Sequence, residues 1–180
     1  MRPLTDEETK LFFEKLVTFI GENIRRLLER ADEPHVFRLH RDRVYYVSEA
    51  ILKNATNFGR DKLMTLGTCF AKFTKSGKVR LQVQCLEHLA RFAKHKVWVK
   101  ANSEMSYLYG HHITKTGVGR ITENVPQYAG VVVYSMNDVP LGYGVAAHTT
   151  ANITALEPTA IVVLHQGDVG EYLRSEVELA

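Results

Sequence analysis

The sequence predicts an α+β protein: an N-terminal α/β domain with an antiparallel sheet and flanking helices, followed by a small barrel made mostly of strands. Amphipathic helical segments open the chain, and strand-length apolar segments separated by turn residues follow. The balance of charge also changes near residue 94. Residues 1–94 contain 18 Lys and Arg against 12 Asp and Glu, whereas residues 95–180 contain 5 against 8. We therefore place the domains at residues 1–94 and 95–180.

Two helices are predicted first. Thr5 followed by Glu8 matches the capping box that starts a helix. The apolar residues after it recur at helical spacing: Leu11, Phe12, Leu16, Phe19 and Ile20. The segment ENIRRLLER repeats the pattern, and Pro34 favours an extended chain after it.

The segment 36–47 predicts a hairpin whose register follows from side-chain parity. A two-residue loop at Arg41 and Asp42 pairs Leu39 with Val44 and Phe37 with Tyr46, so that one face is apolar. The opposite face then carries Arg38, His40, Arg43 and Tyr45.

A second hairpin is predicted at residues 69–85. A three-residue loop, Lys75 to Gly77, pairs Phe73 with Val79 and Ala71 with Leu81, and the glycine supplies the left-handed position of the loop. The opposite face carries Lys72, Thr74, Lys78 and Arg80, with Lys72 directly across from Arg80. Like charges placed opposite each other destabilise a sheet unless an anion or an acid lies over them.

EHLARFAKH reads as a short helix at the end of the first half. In the second half, KVWVK reads as a strand, NSEMSYLYG as a short helix, and several strands follow. GVVVYSMNDVPLGYGVAAH predicts two strands joined at NDVP, and TAIVVLHQGDVGEYLR predicts a strand followed by a turn capped by Asp168.

Composition and motifs exclude several classes of protein. The apolar runs are shorter than the roughly 20 residues of a membrane span, and the N-terminal segment lacks the apolar core of a secretory signal. Cys69 and Cys85 are too few for a disulfide framework or a cysteine-rich zinc site, and we expect both to be buried. His111 and His112 point to opposite faces if they lie in a strand, so we predict no metal site.

No catalytic residue or cofactor is predicted. In GVGRIT, Thr122 stands where a dinucleotide-binding loop needs its third glycine, and no lysine follows as in a phosphate-binding loop. The sequence contains no G-x-S-x-G motif, and Asp168 and Glu171 have no partner at a recognisable acid/base spacing.

The two basic hairpin faces are candidates for RNA binding. Phosphate contacts need Lys and Arg spaced along a surface, and base stacking needs aromatic rings beside them. The candidates are Arg38, His40, Arg43, Tyr45, Lys72, Lys75, Lys78 and Arg80. The alternative is a solvated basic face in a moderately basic protein, and composition alone leaves both open.

The second half resembles a PUA domain, the small pseudo-barrel RNA-binding module. The resemblance lies in KVWVK, in SYLYGHHITKTGVGRITENVPQYAGVVVYSMNDVPLGYGVA and in AIVVLHQGDVGEYLR. With RPLTDEET, FRLHRDRVYYVSE and LGTCFAKFTKSGKVRLQV, the whole chain resembles the family of eukaryotic 60S ribosome biogenesis factors, in which an α/β domain precedes a PUA domain.

The resemblance implies further site residues. The glycine loop of a PUA domain approaches RNA, which makes Lys115 and Arg120 candidate phosphate contacts, with a solvated turn as the alternative. The segment AAHTTANITA carries only His148 as a weak cation, whereas archaeal relatives tend to be basic there. Ala147 and His148 are therefore predicted to dock a protein.

The implied function is a non-catalytic RNA-binding factor that assembles the large ribosomal subunit. We expect pre-rRNA, pre-60S particles and other assembly factors as partners, no membrane, a nuclear and nucleolar location, and a monomer outside the particle. One alternative is a protein-docking adaptor that contacts RNA little. Another is an RNA-modifying enzyme, which we disfavour because the chain has no room for a catalytic domain with its motifs.

Overall fold

The computed structural model describes residues 1–59 and 61–176. Within them the chain forms two compact units, one made of Met1–Val17 with Glu22–Cys85 and the other of Thr18–Gly21 with the chain from Leu86 onward. A compact unit is not the same as an independently folding domain, so the limits 1–94 and 95–180 stay a prediction. The predicted α+β class is confirmed.

The first unit is built from three α-helices and four strands within the described residues. They are α1 (Asp6–Ile20, whose last residues belong to the second unit), α2 (Ile24–Leu28), β1 (His35–His40), β2 (Arg43–Ser48), α3 (Glu49–Ala55), β3 (Thr68–Phe73) and β4 (Val79–Leu81). Helix α3 was not predicted. None of its residues is buried, so its sequence lacks the apolar stripe by which a helix is recognised.

The predicted capping box begins α1. The Thr5 N–H donates to Glu8 Oε2 at 2.9 Å, and the Glu8 N–H donates to Thr5 Oγ1 at 3.3 Å. Arg2 donates two hydrogen bonds to the Glu8 carboxylate, and this lowers the pKa of Glu8 to about 2. Leu11, predicted on the apolar face, is 45% exposed, whereas Phe12 and Leu16 are fully buried.

The sheet of the first unit has the order β1-β2-β3-β4 and is antiparallel. Both predicted registers are confirmed: Leu39 pairs with Val44, and Phe73 pairs with Val79. Arg41 and Asp42 have φ of 48° and 62°. Two left-handed residues form the kind of tight turn whose twist matches that of the strands.

The second unit contains, within the described residues, α4 (Leu86–Phe92), β5 (Lys96–Val99), α5 (Ala101–Leu108), β6 (Ile113–Thr114), β7 (Val118–Ile121), β8 (Gly130–Ser135), β9 (Pro140–Ala146), α6 (Thr150–Ile153), β10 (Ile161–Asp168) and α7 (Glu171–Arg174). The sheet order is β6-β10-β9-β8-β5-β7, with β5 and β8 parallel and the other pairs antiparallel. This is the predicted strand-rich barrel, and helices α6 and α7 were not predicted.

Buried hydrogen bonds stabilise the barrel in addition to the packing of its apolar core. The Tyr107 hydroxyl, buried among valines, lies 3.1 Å from the carbonyl oxygens of both Tyr143 and Gly167, and burial raises its pKa well above the usual value. Asp168 accepts a hydrogen bond from the Gly170 N–H at 2.7 Å, which confirms the predicted capped turn. Its other carboxylate oxygen lies 2.5 Å from His165 Nε2.

The predicted burial of Cys69 and Cys85 is confirmed, and both are free thiols. Burial raises the pKa of Cys69 to about 11 and raises that of Cys85 further, so both are protonated at neutral pH. Within residues 1–59 and 61–176, no helix is long and apolar enough to span a membrane.

Replacing Thr5 by Ala should lower the free energy of unfolding by about 1 kcal/mol, because the Glu8 N–H loses its capping acceptor. Urea denaturation measures the change. Thr5→Ser keeps the hydroxyl and is expected to unfold close to the wild type. Equal stability of the alanine and serine variants would show that the cap does not contribute.

Candidate nucleic-acid interface

Basic residues form a row across the sheet of the first unit. His40 pairs with Arg43, Arg43 pairs with Lys72, and Lys72 pairs with Arg80, so the four side chains leave one face of four successive strands. With about 4.8 Å between strands, the four positions span roughly 14 Å. His40 is buried, so we call the other three residues, Arg43, Lys72 and Arg80, the cation row.

The end of the cation row at β3 and β4 is accessible to a ligand. Lys72 and Arg80 are both exposed, and in the part of the chain that the structure describes neither forms an ion pair. Lys75 and Lys78 are exposed on the adjoining turn, where Gly77 has φ 74° and the Lys78 N–H donates to Thr74 Oγ1. This turn therefore adds two cations next to the row.

The other end of the predicted basic surface is covered. His40 is only 5% exposed, and its Nε2 lies 2.9 Å from the carbonyl oxygen of Leu63. Tyr45 is 3% exposed, and Arg38 and Arg43 are half-buried. Parity placed these four side chains on one face but gave no sign that part of that face is covered.

The glycine segment of the second unit lies between helix α5 and strand β7, as predicted, but its lysine contacts backbone carbonyl groups. The Lys115 ammonium donates hydrogen bonds to the carbonyl oxygens of Thr154 at 2.8 Å and Leu156 at 2.6 Å. It therefore supplies donors to two backbone carbonyl groups in the segment after α6. Gly117 is buried, and a Cβ there would lie 2.8 Å from Ser103 Oγ. This glycine permits close packing against α5.

Arg120 lies on an aromatic ring. Its guanidinium carbon is 3.8 Å from the centre of the Trp98 ring, and its Nη2 is 3.7 Å from Asp138 Oδ1. The Trp98 indole N–H donates to the same oxygen at 2.6 Å. Sequence reasoning missed Trp98 and Asp138, although the alternation of KVWVK already places the indole on the face opposite to two valines.

The adjacent histidines precede β6 rather than lying in a strand, so the parity argument did not apply to them. His112 Nδ1 accepts a hydrogen bond from the His165 N–H at 3.0 Å. Within residues 1–59 and 61–176, no three His, Cys, Asp or Glu side chains are placed to hold a metal ion.

The predicted docking residues lie beside a loop that the sequence did not single out. Ala147 and His148 are half-buried, and the Ala147 carbonyl accepts a hydrogen bond from Gln127 Nε2 at 2.9 Å. Next to Gln127, Tyr128 is 68% exposed with φ 63°, and its N–H donates to the Ala146 carbonyl at 2.8 Å. A left-handed tyrosine is strained, and the surrounding hydrogen bonds hold it in place.

The comparisons with known proteins identify both halves. Residues 1–83 match the NIP7/UPF0113 pre-PUA domain, and residues 95–177 match the UPF0113 PUA domain. The molecule is thus a two-domain PUA protein, which confirms the predicted fold. The chain belongs to the NIP7 family.

Relatives align with nearly the whole chain. The 60S ribosome subunit biogenesis protein NIP7 homolog of Xenopus tropicalis is 65% identical over 98% of both chains. The 60S ribosome subunit biogenesis protein nip7 of Schizosaccharomyces pombe is 60% identical over 98% of both. The resemblance to 60S biogenesis factors is therefore confirmed.

Solved structures share the fold at low sequence identity. A PUA domain from Aeropyrum pernix superposes with a TM-score of 0.60 at 14% identity, covering 99% of this chain and 90% of that one. A PUA domain protein from Thermoplasma acidophilum gives a TM-score of 0.53 at 15% identity, covering 97% of each chain.

Replacing Lys115 by Met should destabilise the protein by roughly 1–2 kcal/mol, because two carbonyl oxygens lose a charged donor. Thermal or urea unfolding measures this. Lys100→Met is the matched control, since Lys100 is exposed and its ammonium, among the described residues, donates a single hydrogen bond, to the Thr116 carbonyl. If the Lys115 variant is as stable as wild type but binds RNA less tightly, the lysine acts as a phosphate contact instead.

Proposed function

We propose that this protein is a non-catalytic RNA-binding factor that acts on pre-rRNA within pre-60S particles in the nucleus and nucleolus. The observation that carries the proposal is the cation row. Membership of the NIP7 family supports the assignment to 60S biogenesis, because relatives of nearly identical length carry that name.

The cation row has the properties that a phosphate backbone requires. Like charges on neighbouring strands repel one another, so the row lowers the stability of the free protein unless an anion lies on it. RNA supplies closely spaced negative charges, and each phosphate that is neutralised releases condensed counterions. Lys72 and Arg80 are the members best placed for this contact because they are exposed and form no ion pair within residues 1–59 and 61–176.

Replacing Arg80 by Glu should weaken the binding of single-stranded RNA and flatten the dependence of log K on log salt. Stability should stay unchanged or rise slightly, because a like-charge pair with Lys72 becomes an opposite pair. Fluorescence anisotropy across a salt series measures the binding. Lys10→Glu, at an exposed site on α1, makes the same change in net charge.

An equal loss of binding in the Lys10 and Arg80 variants would mean that net charge, rather than the row, attracts RNA. Unfolding of the Arg80 variant would show that the arginine is structural.

A second candidate function, a protein-docking adaptor, is favoured by the loop at Tyr128. Tyrosine is enriched among the residues that dominate protein interfaces, and this one is exposed and rigidly held beside Ala146 and Ala147. The adaptor function is compatible with RNA binding by the cation row, because the two surfaces involve different residues.

Replacing Ala147 by Asp should detach a protein partner, since burying an unpaired carboxylate in an interface costs several kcal/mol. Co-purification of assembly factors with the tagged full-length protein measures the effect. Ala155→Asp, at an exposed position after α6, is the matched control. Normal partner recovery with the folded Ala147 variant would contradict the adaptor function.

A further inference from the structure

Three side chains are stacked across neighbouring strands of the second unit. Trp98 on β5 pairs with Tyr134 on β8 and with Arg120 on β7. The Tyr134 and Trp98 rings are 5.8 Å apart with an interplanar angle of 26°. The Arg120 guanidinium carbon lies 3.8 Å from the indole centre on the other side. Because β8 and β7 flank β5, Tyr134 and Arg120 cover opposite faces of the indole.

The stack has one open end. Strand β7 is the last strand in the sheet order, so no described strand pairs with it beyond Arg120. The Arg120 side chain is 60% exposed although one face of its guanidinium lies on the indole. The outer face is therefore in solvent. The inner end is anchored, since Tyr134 is 6% exposed and donates its hydroxyl to the Ala90 carbonyl at 2.8 Å.

Asp138 fixes the orientation of this stack and partly compensates its charge. One carboxylate oxygen accepts the indole N–H at 2.6 Å and lies 3.7 Å from Arg120 Nη2. A carboxylate at this position repels a phosphate and offsets the attraction of the guanidinium. The site therefore presents a flat, preorganised guanidinium plane to a ligand, and its net positive charge is small.

We propose that the outer face of Arg120 is a stacking platform for one unpaired nucleobase of the bound RNA. This inference rests on the proposed function, and it changes the expected role of Arg120 from a phosphate contact to a base contact. Guanidinium planes stack on unpaired bases in the recognition of single-stranded RNA. A base on Arg120 would extend the existing row of Tyr134, Trp98 and Arg120 by one member.

The test compares a charge-conserving variant with a charge-removing one in the full-length protein. Lysine keeps the positive charge but has no plane, so Arg120→Lys should lose base stacking and keep any phosphate contact. The probes are oligoadenylate RNA and an abasic oligonucleotide of the same length. Base stacking is worth about 1–3 kcal/mol, so Arg120→Lys and Arg120→Ala should both bind oligoadenylate at least about fivefold more weakly. Neither should change its affinity for the abasic probe.

Trp98 provides an independent readout because the chain contains a single tryptophan. Its indole N–H resonance should shift when oligoadenylate is added to the wild-type protein and should not shift with the abasic probe. The resonance in the free Arg120→Lys protein, together with its thermal unfolding, checks that the variant remains folded.

Each contrary outcome has a separate meaning. If Arg120→Lys binds oligoadenylate like wild type while Arg120→Ala is weaker, the charge alone matters and the platform is wrong. If both variants bind like wild type while Arg80→Glu is weakened, the platform is wrong and the RNA-binding function stands. If the wild-type protein binds neither probe, both the platform and the proposed RNA binding fail.

Discussion

The register of the first-unit sheet is the constraint on which the candidate interface depends. The cation row lies on one line because Arg43 of β2, Lys72 of β3 and Arg80 of β4 pair across neighbouring strands, with His40 of β1 at the covered end of the line. A slip of one residue in any pair would turn its cation toward the face on which Phe12 packs edge-on to Phe37 and Phe70. Burying a charge there is costly, so core packing and the turn at Arg41 and Asp42 enforce the same alignment.

Local patterns in the sequence were enough to predict much of this unit. The capping box at Thr5, the two hairpin registers and the left-handed Gly77 each depend on residues only a few positions apart. Helix α3 was not predicted because it has no buried face. The burial of His40 could not be predicted for a different reason. The Leu63 carbonyl that it contacts lies 23 residues away in the chain and belongs to no predicted element. Parity tells which face a side chain is on, but not what covers that face.

The second unit shows how two basic residues of one short segment can have different roles. Lys115 and Arg120 were predicted as equivalent phosphate contacts from the same short loop, yet one satisfies carbonyl oxygens and the other lies on an indole. The difference comes from partners distant in the chain: Leu156 for the lysine and the Trp98–Asp138 pair, which are 40 residues apart, for the arginine. Only the folded barrel brings these groups together, so no local pattern could separate the two roles.

The end of helix α1 makes the second unit discontinuous along the chain. Residues 18–21 belong to that unit, where the Phe19 ring lies so close to Gly130 that a Cβ there would come within 2.7 Å of it, and where the Phe19 carbonyl accepts a hydrogen bond from the Lys94 N–H. The barrel is thus encoded by two separate stretches of the gene. A recombination event that copied only the distal stretch into another protein would leave out an aromatic ring that packs on Gly130 and Tyr143. The end of the helix that precedes the barrel is therefore part of the barrel's own core, in which Phe19 is 1% exposed.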